Sequence, residues 1–78
     1  MKTYTKEELE QATALAQAMF EYENKMQEIR NDAGLSLSTL WEMFIEELEL
    51  SCDIEADYED EDTEICKIFD EAVKTYRK

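Results

Sequence analysis

Apolar residues recur at three- and four-residue spacings in three stretches of the chain, the periodicity of helices that bury one face. In the first, Leu9, Ala12, Ala16, Met19 and Phe20 form one row, and Leu15, Met19, Tyr22, Met26, Ile29 and Ala33 form a second, overlapping one. Thr5, with Glu8 three residues on, makes a capping box at its start. Gly34, the only glycine, stands where a left-handed residue would end the helix. The spacing predicts a helix over about 6–32, roughly 40 Å long at 1.5 Å per residue.

The second stretch opens with Ser36, a good N-cap, and with Leu35 placed to pack on Leu40 as a hydrophobic staple. Leu37, Leu40, Trp41, Phe44, Ile45, Leu48 and Cys52 make a wide apolar stripe that predicts a helix over about 37–53. Glu42, Glu46, Glu47, Glu49 and Asp53 lie opposite. A third helix is expected over about 62–77, with Ile65, Ile68, Phe69, Ala72, Val73 and Tyr76 on its buried face. Its acidic start and its basic end, Lys74, Arg77 and Lys78, both suit the helix dipole. Between the last two helices, about 54–61 reads as an acidic connector. Three amphipathic helices in 78 residues imply one all-α domain over 1–78. The expected architecture is a small three-helix bundle with one long N-terminal helix. That helix overhangs its shorter partners, so a homodimer is an open alternative to a monomer.

Composition supports this reading. Hydrophobic residues make up 44% of the chain, too many for a disordered acidic tail. One glycine and no proline leave few turns for a hairpinned sheet. No apolar stretch approaches the roughly 20 residues of a membrane span. The start, Met1-Lys2-Thr3-Tyr4, runs into Lys6, Glu7 and Glu8 and does not read as a signal peptide, so the expected compartment is the cytoplasm. In that setting Cys52 and Cys66 are expected as reduced thiols, with a disulfide as the alternative.

Charge changes the picture most. The chain carries 21 acidic and 8 basic residues and no histidine, a net charge of −13. From Glu42 to Glu64 there are twelve acidic residues and no basic one, and no Lys or Arg occurs between Arg30 and Lys67. A surface of this sign disfavours direct contact with nucleic acid or with an anionic membrane. It also exceeds the roughly two to eight charges that solubility asks of a small domain. The excess points to a basic partner, and the bland alternative is a solvated connector.

Candidate chemistry is sparse. Without His there is no Ser-His or Cys-His nucleophile, and one glycine cannot build a phosphate loop. Neither an enzyme nor a cofactor is expected. Asp53-Ile54-Glu55-Ala56-Asp57-Tyr58-Glu59-Asp60-Glu61-Asp62-Thr63-Glu64 places acids at positions 1, 3, 5, 7, 9 and 12, as an EF-hand loop does. Tyr58 stands at the sixth position, where that loop needs glycine, and so dense an acidic run forces such a match by composition. No dedicated metal site is assigned, and weak calcium binding at 53–64 is kept as a third reading. Trp41, Phe44 and Phe69 read as core. Tyr58, among carboxylates, reads either as an interface anchor or as a cap on the end of the bundle.

Glu42, Glu46, Glu49 and Asp53 follow at spacings of four, three and four, so they share one helix face about 5–6 Å apart. That interval is comparable with the spacing of phosphates along a strand. With Glu55, Asp57, Glu59, Asp60, Glu61 and Asp62, and Tyr58 as anchor, they form the candidate partner-binding surface. In size, a pI of about 4.1, helical pattern and the carboxylate run Asp53–Glu64, the chain resembles small acidic inhibitors of host defence encoded by phages and mobile elements. These include anti-CRISPR and anti-restriction proteins that act as DNA mimics. The resemblance implies a non-enzymatic viral protein, acting in the host cytoplasm, that blocks a basic, nucleic-acid-binding protein. The alternative is a helical homodimeric assembly module whose seam is Leu15, Met19, Tyr22 and Met26, with acidity serving only solubility.

Overall fold

The computed structural model describes residues 3–56 and 64–77, and over these the chain is an all-helical three-helix bundle. The helices are α1 (Lys6–Arg30), α2 (Leu37–Cys52) and α3 (Glu64–Tyr76). At 25 residues α1 is roughly 37 Å long, nearly the full 40 Å extent of the molecule. Both α2 and α3 pack along it.

Each helix start follows from a local hydrogen bond. Thr5 Oγ1 accepts from the Glu8 N–H at 3.1 Å, and the Thr5 N–H donates to Glu8 Oε1 at 2.9 Å, which completes the capping box. Ser36 Oγ accepts from the Thr39 N–H at 3.2 Å at the head of α2. The ends are less obvious. Two non-glycine residues, Asn31 (φ 58°) and Asp53 (φ 54°), turn left-handed and stop α1 and α2. Short polar side chains tolerate that conformation best after glycine.

The end of α1 therefore corrects the expectation placed on Gly34. The helix stops at Arg30, two residues before the expected boundary, because Asn31 takes the left-handed turn. The Asp32 N–H then reaches back to the Gln27 carbonyl at 3.2 Å. Gly34 also has positive φ, +81°, but its task is close approach. A Cβ there would meet the Gln27 side chain at 2.5–2.7 Å. Helix α2 ends one residue before the expected 53, with Asp53 as its cap. Helix α3 ends at Tyr76, one residue early, and the expected positions 62 and 63 of its start lie outside the described residues.

The core is Ala12, Ala16 and Phe20 of α1, Leu40, Phe44, Ile45 and Leu48 of α2, and Ile65, Phe69 and Ala72 of α3. Phe69 sits at its centre, with ring centroids 5.5 Å from Phe20, 5.7 Å from Phe44 and 5.2 Å edge-on from Trp41. The aromatic trio of the sequence is thus packing. Ile54 completes the core, although it lies among acidic residues. The left-handed turn at Asp53 swings the chain back, the Ile54 N–H bonds the Leu48 carbonyl at 2.9 Å, and its side chain is buried.

A polar clasp closes the end of the bundle where α1 finishes. Glu23 lies on the buried face of α1, its side chain 6% exposed, and accepts from Arg30 Nη2 at 3.0 Å and the Leu35 N–H at 3.3 Å. Arg30 Nε donates to Asp32 Oδ2 at 3.0 Å, and Asp32 Oδ1 accepts from the Gly34 N–H at 2.8 Å. Just past α3, the Arg77 guanidinium donates to the Leu35 carbonyl. Asn24 Nδ2 donates to the Tyr76 carbonyl at 3.2 Å. Cys52 and Cys66 are not joined by a disulfide.

Candidate functional site: the acidic face of α2

Helix α2 turns Leu40, Phe44, Ile45 and Leu48 into the core, so the face opposite them is solvent. Glu42, Glu46, Glu49 and Asp53 all lie there, and all are exposed. At 1.5 Å per residue their α-carbons step along the helix by roughly 6, 4.5 and 6 Å. Among the described residues, none of the four takes part in an ion pair. The nearest cation before them in sequence, Arg30, is held by Glu23 and Asp32. Glu47, on the flank of the same face, accepts from Ser51 Oγ at 2.9 Å. Glu55, just past the helix, is exposed as well.

This arrangement brings together five of the eleven partner-binding residues expected from the sequence, namely Glu42, Glu46, Glu49, Asp53 and Glu55. Asp57, Tyr58, Glu59, Asp60, Glu61 and Asp62 lie outside the described residues, as does most of the EF-hand-like run. Among the described residues, no group of three or more His, Cys, Asp or Glu could hold a metal ion. No described helix is long and apolar enough to cross a membrane.

The α2 face also carries two apolar residues that the periodicity did not single out. Leu50 is 79% exposed and Met43 39% exposed. They are seven residues apart, so they form a short strip along the helix. Leu50 stands four residues after Glu46 and three before Asp53, beside the row of carboxylates. No family model, no curated protein and no solved structure matches the chain.

Two other surfaces compare with it. A groove of about 300 Å³ runs between α1 and α3, lined by Ala16, Ile68, Ala72 and Tyr76, with Lys67 and Glu71 at its edge. It is mainly apolar. Along α1, Tyr22 is 65% and Ile29 76% exposed, in the row that continues through Leu15, Met19 and Met26. Spacings of four and three alternate through that row, which is the seam pattern of a coiled coil.

At the clasp, Tyr76 donates its hydroxyl proton to Glu21 Oε1 at 3.0 Å. That hydrogen bond, reinforced by burial and by the carboxylate's charge, raises the Tyr76 hydroxyl above its ordinary value near 10. The effect is local to the contact between the end of α3 and Glu21 of α1.

Proposed function

We propose that the chain is a non-enzymatic acidic binding protein that presents carboxylates as a nucleic-acid mimic. Its target is the basic cleft of a nucleic-acid-binding protein of the host-defence, CRISPR-Cas type. The observation that carries this reading is the exposed row Glu42, Glu46, Glu49 and Asp53, with no ion pair on it among the described residues. Like charges held in a row destabilise the compact state. A row left without cations, on a domain already at −13, fits a surface meant to be neutralised by another molecule. Lys- and Arg-lined clefts bind rows of phosphates largely without regard to sequence, so they accept such a substitute.

The test is affinity capture with the tagged chain from a bacterial lysate, with the bound proteins challenged by salt and by nucleic acid. A captured nucleic-acid-binding protein that both salt and nucleic acid displace supports the proposal. Capture of a partner that survives high salt overturns it.

A second reading rests on Tyr22 and Ile29. Their exposure on a heptad-spaced seam favours a homodimeric assembly module, with the acidic residues conferring solubility. Sedimentation separates the two: this module is a dimer that persists at high salt, and Tyr22→Glu with Ile29→Glu makes it a monomer.

A further inference from the structure

The groove between α1 and α3 offers a chemistry unlike that of the α2 face. Small residues line it from both helices, Ala16 from α1 and Ala72 from α3, and their short side chains leave a hollow of about 300 Å³. Small-molecule sites begin at about that size. Ile68 and the ring of Tyr76 add larger apolar walls. Tyr76 is held from three sides. Its ring lies nearly parallel to that of Phe20 at 6.4 Å, its hydroxyl donates to Glu21 Oε1 at 3.0 Å, and its carbonyl accepts from Asn24 Nδ2 at 3.2 Å. That wall is therefore preformed. Thr13 and Thr75 also line the groove, and each donates its hydroxyl proton to the carbonyl four residues earlier, Leu9 at 2.8 Å and Glu71 at 2.9 Å. With those protons spent inside their own helices, the two threonines add little polarity.

The two charges at the edge of the groove are not equivalent. Lys67 and Glu71 stand four residues apart on α3, with the lysine first, which is the weaker order for such a pair. Glu71 pairs instead with Lys74, at 3.7 Å. Lys67 is exposed and, among the described residues, has neither an ion pair nor a hydrogen bond. An apolar hollow with an unpaired ammonium at its rim, beside a carboxylate already paired, suits a ligand with an apolar body and an anionic head. We propose that the α1–α3 groove is a binding site for a small aliphatic carboxylate. The hydrocarbon chain lies on Ala16, Ile68, Ala72 and the Tyr76 ring, and the carboxylate accepts from Lys67 Nζ. This site is independent of the nucleic-acid-mimic reading, since it uses neither the α2 carboxylates nor a protein partner.

The test titrates the full chain with octanoate, octanol and octylammonium, and follows the backbone amides by heteronuclear NMR. Salt at about 0.15 M screens carboxylates more than about 8 Å away. The expected result is octanoate binding with Kd on the order of 1 mM, the strength a ligand of this size can reach. Its shifts should centre on Gln17, Lys67, Ile68 and Thr75, which line the groove. Because Lys67 is exposed, octanoate should exceed octanol and octylammonium by only roughly threefold to fivefold. Lys67→Gln should lower octanoate to the level of octanol and leave octanol unchanged. Thr75→Trp, at an exposed position, should fill the groove and abolish binding of all three, with helicity checked by circular dichroism. Octanol or octylammonium binding as tightly as octanoate overturns the assignment, because Lys67 then selects nothing. Octanoate binding that survives Thr75→Trp, or no binding by about 20 mM, overturns it as well. The mimic reading stands or falls separately, on capture through α2.

Discussion

Arg30 and Glu23 form the one ion pair among the described residues whose carboxylate is buried, with Nη2 to Oε1 at 3.0 Å and the Glu23 side chain 6% exposed. The pair does more than join two side chains on one helix. Glu23 also accepts the Leu35 N–H, and Arg30 also holds Asp32, which in turn fixes Gly34. The turn from α1 into α2, and so the direction in which α2 presents its acidic face, hangs on this pair.

Arg30→Ala leaves Glu23 buried with the Leu35 N–H alone. Breaking one partner of a buried pair costs about 3–5 kcal/mol, and the partial exposure of Arg30 puts this case toward about 2–3 kcal/mol. Glu23→Gln in the same background should recover part of that loss, because the remaining group is then neutral. Urea unfolding of the two variants and the double variant measures both effects. A loss below about 0.5 kcal/mol for Arg30→Ala would show that the clasp does not hold the turn.

Gly34→Ala should destabilise by roughly 1–3 kcal/mol, for two separable reasons. The added Cβ must adopt φ near +81°, and it must displace the Gln27 side chain. Pairing it with Gln27→Ala removes the second reason only. Thermal melts of the single and double variants should therefore show partial rescue.

The charge of α2 predicts a stability that rises with salt. Its carboxylates repel one another in the folded state, and salt screens the repulsion. Glu46→Gln with Glu49→Gln should raise the melting temperature at low salt by a few degrees, since about 1 kcal/mol corresponds to roughly 4–8 °C in a domain this size. At high salt the variant and the natural chain should converge. A melting temperature that is flat with salt would mean that the acidic face carries no repulsion to relieve.

Tyr76 should ionise above the ordinary tyrosine range. Its neutral hydroxyl donates to Glu21, and its phenolate would face that carboxylate. The folded-state value lies above the unfolded one, so the contribution of this contact is fully present below pH 10 and is lost as pH rises through the folded-state value. Ultraviolet titration should show a tyrosine ionising above the ordinary range, and Tyr76→Phe should delete that late component. Glu21→Gln should bring it back toward its ordinary value.

The helices and their buried faces were legible because each rests on local rules. Thr5 with Glu8 and Ser36 with Thr39 mark starts that tertiary structure has no reason to overrule. The ends were harder to read, since Asn31 and Asp53 take a conformation in which glycine is the usual signal. Ile54 was hidden by its acidic neighbours, and its burial depends on a chain reversal at Asp53 that periodicity does not encode. Glu23 left a trace: it continues the spacing of Ala12, Ala16 and Phe20, with Arg30 two turns further along the same face. The carboxylate row was fully legible as spacing. Leu50 was not, because a residue off the apolar stripe becomes informative only once that stripe is known to face the core.

The most direct measurement of the central claim is the salt dependence of binding between this chain and whatever nucleic-acid-binding protein the affinity capture recovers. It compares the natural sequence with the variant carrying Glu42→Gln, Glu46→Gln, Glu49→Gln and Asp53→Asn. The predicted result is affinity that falls steeply with salt for the natural chain, and weak, nearly salt-independent binding for a variant of unchanged helicity. Equal affinity and equal salt dependence for the two would contradict the account, and the α2 carboxylates would then be a solvated face.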